Sequence, residues 1–571
     1  MPLSSILMND GLMVRSYLGD SAVLLAFNLD QNKIDNLAGF SIKCKAPRRG
    51  PHTSDTYWLK NRLNLKKEIT KDTQTSSDRR EGSDKAPFQT FHWIHFPGAG
   101  PGKYHYTVYA SYFNSNDIIK LGPKITVEVD LNYKSFSGLE LGFTRGYISS
   151  QAYADLFSNK RIEPKHKSIN FSTKPYLRQY EWLGAHARKI IFDFLKECLD
   201  DKSIEVDVFT YDFDEPDIIR ALCRMQKRVR VFQDNSESHT DPGSMELEAI
   251  RKLKKANVKV KTGNFNRFQH NKVMIQKRKG KAVKVLTGSA NFSLRGVYVQ
   301  ANSVLNLSDA DVADLYEQAF EQAFSADERN FKSSKIASKW YDIEENTSRP
   351  SLSLSFAPHQ KAFSIDKVAE SIKSSKSSVF FSIMQMTGGG DLMPLLKNLK
   401  DRKDKIFSIG TTESNNQEEN ASESEKLLRV FRPDMDDNAA IVPFAYLKEN
   451  IPKQFKDEWS GGKGHVIHHK FVVCDFNHEI PVVFCGSSNL SSGGEESNGD
   501  NLIAIYDDKI ASLYAVEAIR LFDHYRFRNV KQKSTKNEPL ILKRTDEWTK
   551  RYYDRNDIKF LERRVLIGRT T

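Results

Sequence analysis

Cysteine is scarce in this chain: five among 571 residues (Cys44, Cys198, Cys223, Cys474 and Cys485), odd in number, scattered, and without a C-x-x-C spacing. That argues against a disulfide framework and for a reducing compartment. Long apolar runs are also missing, and no uninterrupted stretch is long enough to span a bilayer. The first twenty residues, MPLSSILMNDGLMVRSYLGD, lack a basic region followed by a continuous apolar core, so no signal peptide is read. A soluble, cytoplasmic protein is the default expectation. Positive charge is in excess, with 86 Lys and Arg against 73 Asp and Glu, a formal net charge of +13. Such a balance favours an anionic partner, nucleic acid or an acidic lipid surface, without choosing between them. The length suits about three domains of ordinary size.

Residues 1–135 read as a small β-sandwich of immunoglobulin-like pattern. Residues 21–28 (SAVLLAFN), 38–43, 88–95, 102–113 and 124–130 are short, alternating stretches separated by turns rich in Gly, Pro and Asn. Residues 68–86, polar and aperiodic, read as a flexible loop. Nothing in this domain carries chemistry, and recruitment of a protein partner is the modest expectation for it. Residues 136–348 and 349–571 then repeat one order of elements. Helices are expected at 185–199, 216–225 and 241–256, with strands at 204–211, 228–233 and 258–262. The second half follows with helices at 364–374 and 392–399 and strands at 378–384 and 405–409. Alternating helices and strands give an α/β layered fold.

The most informative stretch is 468–489, HHKFVVCDFNHEIPVVFCGSSN. It reads as two strands joined by a turn and ending in a small-residue loop. Strand alternation puts His468 and Lys470 on one face. His465 and His469 fall on the other face, and His478 lies in the turn. A weaker copy lies upstream, FQHNKVMI with His270 (198 residues before His468) and Lys272, followed by VKVLTGSAN with Ser289 and Asn291. A lone histidine in a strand or a lone G-S-x-N turn is ordinarily structural. Both features, in order and twice, point to a site for a phosphodiester. Two imidazoles can attack phosphorus and protonate the departing oxygen, while two lysines and two asparagines hold the non-bridging oxygens. No Cys/His cluster or carboxylate pair of metal-ligand type accompanies them, so neither a metal nor another cofactor is called for.

His468-x-Lys470-x4-Asp475 with Gly486-Ser487-x-Asn489 resembles the signature of the phospholipase D superfamily, and the resemblance covers roughly residue 141 to the C-terminus. It implies a duplicated α/β sandwich of two pseudo-symmetric halves, here preceded by the all-β domain. It also implies metal-independent cleavage through a phosphohistidine. By the family's habit His270 attacks and His468 protonates the leaving oxygen, with Lys272, Lys470, Asn291 and Asn489 on the phosphoryl oxygens. Ser289 and Ser487 support them, and Asp475 completes the second motif. The first copy departs from the pattern, with Lys277 where the family has Asp. Asp500-Asn501 fits the family's acidic residue and Asn after the Gly-Ser loop, whereas the first half has Ala301-Asn302.

Further substrate contacts are expected from Asp500, Asn501 and Asn302, and from Lys277, Arg278 and Lys279 in the basic turn. A solvated hairpin tip is an equal reading of that turn. Residues 414–426, polar and acidic, read as a surface excursion or a gate beside the cleft. The segment 521–571 holds 14 Lys and Arg against 7 Asp and Glu, interleaved with Tyr525, Phe527, Trp548, Tyr552, Tyr553 and Phe560. That mixture suits single-stranded nucleic acid, although docking of the aromatics on the protein body is the stronger reading. Charge, and the absence of an identifiable apolar membrane-docking segment, favour a nuclease acting on DNA or RNA. A phospholipid-cleaving enzyme comes second. A nucleic-acid-binding protein that keeps the pocket without turnover is the third reading, kept open by Lys277 and Ala301.

Overall fold

The computed structural model describes residues 6–568 except 48–54, 74–79, 99, 117, 133–135, 147–149, 159, 166–167, 327, 386–391, 400–401, 403, 416–425, 432–439 and 444–466. An all-β region comes first. One four-stranded sheet runs Leu7–Asn9, Leu12–Gly19, Ala22–Leu29, His92–His95; the other runs Ile119–Asp130, Lys103–Phe113, Leu37–Lys45, Thr56–Trp58. Their inner faces meet in a core that includes Val14, Leu25, Phe27, Phe40, Ile42, Tyr106 and Val108. Lys103–Phe113 alternates buried Tyr104, Tyr106 and Val108 with partly exposed neighbours, as a strand with one solvated face must. Ala22–Leu29 is apolar almost throughout because both its faces are covered. Val23, Leu25 and Phe27 join the sandwich core, while Leu24 and Ala26 join the core of the α/β body.

The sequence reading missed Leu12–Gly19, which forms an eight-residue strand of the first sheet. It also overstated the freedom of residues 68–86. Ile69 is buried and bridges Leu540, and Glu81–Gly82 pairs with Lys60–Asn61. Residues 74–79 of that segment lie outside the described residues.

Two sheets of matching strand order build the α/β body. The first runs Leu139–Phe143, Ser303–Leu307, Lys281–Gly288, Val273–Arg278, Ile204–Thr210, Val229–Asp234, Lys259–Gly263. The second runs Ser351–Ala357, Asn498–Tyr506, Val482–Gly486, Lys470–Cys474, Ser378–Gln385, Phe407–Asn415, Lys426–Phe431, flanked by Tyr341–Ile343 and Ala440–Pro443. The orders correspond strand for strand. They differ at the seventh position, where Lys259–Gly263 runs parallel to its neighbour and Lys426–Phe431 antiparallel. Helices Leu177–Asp200 and Ala310–Phe324 lie on the first sheet and Ser364–Ser374 on the second, each burying an apolar stripe, while Asp508–Lys533 is wedged between the second sheet and Leu12–Gly19 and is buried on most sides over its first half. The fold is therefore a duplicated α/β sandwich behind an all-β region. Of the acidic stretch 414–426, positions 414–415 and 426 are strand termini and the rest lies outside the described residues.

The C-terminal aromatics are packing groups. Trp548 Nε1 donates to Leu37 O at 2.9 Å and Tyr553 OH to Leu29 O at 2.6 Å, while Tyr552 enters the sandwich core. Tyr525 is fully buried in the long helix. Phe527 lies under the Arg62 guanidinium at 5.2 Å and Phe560 under that of Arg563 at 5.4 Å. These rings dock the segment on the protein body, as the stronger reading of the sequence had it, and do not form the alternative stacking platform for bases.

Candidate active site

The two motif strands begin in each other's half. Phe268–Gln269 pairs in parallel with Asn498–Gly499, and His270 N donates to Gly499 O at 2.9 Å. Reciprocally, Ile467 bridges Ala301, and His468 N donates to Ala301 O at 3.1 Å. Each histidine is thereby delivered against the loop of the opposite copy.

Behind the imidazoles stand different groups. His270 Nδ1 donates to Asp500 Oδ1 at 2.8 Å, and the same oxygen accepts from Ser487 Oγ at 2.8 Å. His468 Nδ1 faces Asn302 Oδ1 at 2.9 Å and Ser289 O at 3.0 Å, and Ser289 Oγ donates to that amide oxygen at 2.8 Å. Asn302 Nδ2 donates to Gly296 O at 2.8 Å, which fixes the amide with its oxygen toward His468. Both imidazoles therefore carry a proton on Nδ1, which makes Nε2 of each ring the nitrogen for chemistry. One is backed by a carboxylate, the other by neutral carbonyls.

The lysines are equally enclosed. Lys272 and Lys470 are each 1% exposed, and Lys470 Nζ lies 3.3 Å from His468 Nε2. Lys272 Nζ bonds His270 O and sits over the Tyr211 ring at 5.1 Å. Burial pulls the Lys272 ammonium down to about 8, against the opposing pull of Asp500, Asp212 and Asp234. Burial, with the Lys272 charge, also lowers His270 below the ordinary histidine value, and Asp500 offsets this only in part. His270 is therefore neutral at neutral pH, with a free Nε2 lone pair.

Glycine shapes the two loops identically. Gly288 and Gly486 both adopt φ of +142°, and a Cβ there would lie 2.3 Å from Ser303 O and 2.4 Å from Asn501 O. Only glycine allows the loops to pass this close to the neighbouring strand. Ser289 and Ser487 are held beside them. Asn291 Nδ2 donates to Asp212 Oδ2 at 2.5 Å, while the Asn291 Oδ1 and Asn489 Oδ1 atoms are buried and unbonded.

Several expected substrate contacts prove to have other partners. Asp500 and Asn302 are 2% and 0% exposed and orient the histidines. Asn501 ties the halves together, donating to Asn271 Oδ1 at 2.9 Å and accepting from Tyr316 OH at 3.1 Å. Lys277 pairs with Asp207 at 2.9 Å, and Arg278 with Glu197 at 3.1 Å and with Asp201. Lys279 is at an exposed turn with φ of +51°. This turn closes the end of Val273–Arg278 remote from His270, roughly 20 Å along the strand. Asp475, expected among the catalytic residues, lies at the corresponding far end of its own strand. Its carboxylate accepts from the backbone N–H groups of Lys376, Ser377 and Ser378 at 2.7–3.1 Å, anchoring the hairpin. His469 is a core residue bonded to Glu517 at 3.0 Å, and His465 lies outside the described residues.

A family model described as "Cardiolipin synthase, PLD-like domain" matches residues 195–324 and 368–522, bracketing both motifs. The mitochondrial cardiolipin hydrolase of Xenopus laevis is 31% identical over 124 residues, 21% of this chain and 54% of that protein. The chain thus spans about half the length of that curated relative. Among solved structures, phosphatidylserine synthase of Haemophilus influenzae aligns with a TM-score of 0.38 at 13% identity, over 66% of this chain and 91% of that one. Nuc of Salmonella typhimurium, a phospholipase D family member, aligns with a TM-score of 0.20 at 20% identity, over 24% and 86%.

Proposed function

Because the chain belongs to the phospholipase D superfamily, we propose that it hydrolyses phosphodiesters through a phosphohistidine on His270, with nucleic acid as substrate. His270 Nε2 attacks phosphorus, the bond to the leaving oxygen breaks, and His468, which enters this step as the imidazolium with a proton on each ring nitrogen, gives that oxygen its Nε2 proton. Water then attacks the phosphohistidine and His468 Nε2 takes the proton. The P–N bond breaks and His270 is regenerated. Lys272, Lys470, Asn291 and Asn489 surround the non-bridging oxygens, where charge builds in the transition state.

The observation that carries the assignment is the asymmetry behind the rings. The Asp500 carboxylate stabilises the positive charge that His270 acquires on bonding to phosphorus. The Asn302 amide keeps the His468 Nδ1 proton and the ring orientation fixed, without a carboxylate charge that would hold the Nε2 proton of the imidazolium. Nucleic acid is favoured by the net charge of +13. No helix among the described residues is long and apolar enough to cross a membrane. A phospholipid substrate is the second reading, supported by the likeness to the cardiolipin hydrolase and by Met8 and Ile118, each 60% exposed on the sandwich. The test is cleavage of DNA, RNA and phospholipid vesicles in EDTA by the intact protein, His270→Ala and His468→Ala. Nucleic-acid cleavage lost in both variants supports the reading; cleavage of lipid alone moves the substrate to the second. Nucleic-acid binding without turnover makes this a binding protein.

A further inference from the structure

Beside the phosphate pocket, on its first-half side, a second polar cluster is assembled from residues that the reaction above does not use. Asp212 follows the strand Ile204–Thr210, and Asp234 ends the adjacent parallel strand Val229–Asp234. His239 stands on the short turn after it, and Glu246 opens the helix Met245–Lys255. The carboxyl ends of parallel strands are where open α/β sheets receive ligands. The ligand atoms of Asp212, His239 and Glu246 all lie within 4.8 Å of one another.

We propose that Asp212, His239 and Glu246 form a site for a first-row transition-metal dication of the Zn²⁺ or Mn²⁺ class, coupled to the phosphate pocket through Asn291. Metal–ligand bonds of about 2.1 Å place tetrahedral ligands about 3.4 Å apart. His239 Nε2 and Asp212 Oδ1 already stand 3.2 Å apart, and Glu246 needs a side-chain adjustment of about 1 Å to join them. The other ring nitrogen is set for this role. His239 Nδ1 bonds Asp234 Oδ1 at 2.8 Å, and Asp234 is fully buried, the carboxylate–histidine support that fixes a metal-binding tautomer. The cation replaces the proton that Nε2 shares with Asp212. One imidazole with two carboxylates suits the borderline dications better than Mg²⁺ or Ca²⁺.

A second observation is independent of the cluster. Asn291, 1% exposed, has a buried amide oxygen without a hydrogen-bond partner, and its Nδ2 is bonded to Asp212 Oδ2. The amide of this phosphate-binding candidate is therefore tied by Nδ2 to a member of the cluster, while its buried oxygen has no hydrogen-bond partner. Asp212, with a 38% exposed side chain, leaves a way in from solvent. Lys272 and Arg295 bring positive charge to Asp212, while Asp214 and Asp234 add negative charge to the same neighbourhood. Asp212 thus faces the cluster with Oδ1 and Asn291 with Oδ2. A cation drawing Asp212 inward releases the Asn291 N–H groups to phosphate and adds positive charge beside it, so substrate binding tightens while the histidine chemistry is unchanged.

The test is isothermal titration of EDTA-stripped, full-length protein with Zn²⁺ and with Mn²⁺, for wild type, His239→Gln, Glu246→Gln and Asp234→Asn. The expected result is one saturable site per chain, weakened 10- to 100-fold in each variant. Glu246→Gln keeps an amide oxygen for the Phe213 N–H it now accepts at 3.1 Å, so it tests the cation with the local fold retained. Cleavage in EDTA should be the same for Glu246→Gln and wild type, and the cation should lower KM only in wild type. No saturable site, or undiminished binding by Glu246→Gln, overturns the proposal. Titration reads the cation without turnover, so failure of the phosphodiesterase reading is seen separately.

Discussion

Asp500→Asn tests the assignment of the nucleophile most directly. The substitution preserves shape and removes the charge that holds both His270 Nδ1 and Ser487 Oγ at 2.8 Å. A hydrogen bond to a charged group contributes about 1.5–3 kcal/mol, against about 1 kcal/mol for a neutral pair. The difference grows as His270 becomes cationic in a buried, water-poor site. A transition-state loss of about 3–4 kcal/mol corresponds to a fall of about 100- to 1000-fold in kcat/KM. The pH profile adds a readout that simple destabilisation does not produce. Asp500 raises the proton affinity of His270, while burial and Lys272 lower it. Without Asp500 the imidazole stays neutral to lower pH, so the acid limb of kcat/KM moves downward as the plateau falls. The assay is cleavage of a nitrophenyl phosphodiester in EDTA across the pH range, with the phosphohistidine trapped under alkaline quench. Activity within about threefold of wild type, or an acid limb moved upward, would refute the assignment of His270.

Further outcomes are specific. In wild type kcat/KM falls as pH rises through about 8, where Lys272 loses its proton; Lys272→Met lacks this limb and loses about 100-fold in activity. Gly486→Ala forces a Cβ against Asn501 O at 2.4 Å and lowers stability by about 2–4 kcal/mol, read as a lower urea midpoint. Lys277→Ala leaves buried Asp207 to Arg230 alone and costs about 1–3 kcal/mol, with KM unchanged in steady-state assays. Trp548→Ala removes the bond to Leu37 O and the packing on Phe91, costing about 2–4 kcal/mol in denaturant titration while nucleic-acid affinity is retained.

What was legible in the sequence follows physical range. The helices at 216–225 and 364–374 were readable to the residue, because a Pro start and an apolar stripe are local signals. The His, Lys, Ser and Asn of both motifs were readable because strand alternation and a tight glycine loop are local too. What their partners do was not. Asp500 and Asn302 were singled out as substrate contacts, yet each acts on a histidine more than 160 residues away, through the strand crossing. Asp212 gave no signal, since an aspartate after a strand is common and its neighbour Asn291 is 79 positions distant. Lys277 and Arg278 misled in the opposite sense: a basic turn looks like a phosphate grip until its acidic partners Asp207, Glu197 and Asp201 are brought beside it.

The reciprocal crossing of the motif strands has a consequence for the two halves. Each imidazole is oriented by a group from the other half, and those groups are nearly or fully inaccessible to solvent. Separating the halves would leave Asp500 without the His270 N–H and Asn302 without that of His468. A buried acceptor without its donor costs about 1–3 kcal/mol, more when it is charged. The bonds that orient the imidazoles are thus also bonds that close the interface. Asn501 extends the same economy, bonding Asn271 and Tyr316 of the first half while holding Ser487 of the second. Asp500 and Asn302 therefore cannot be exchanged as freely as the matching strand orders suggest. Asn302→Asp would put a second carboxylate behind His468, hold its proton more firmly, and slow departure of a poor leaving group far more than that of a nitrophenolate. That contrast between leaving groups separates the acid from the nucleophile in a protein whose two halves otherwise mirror each other.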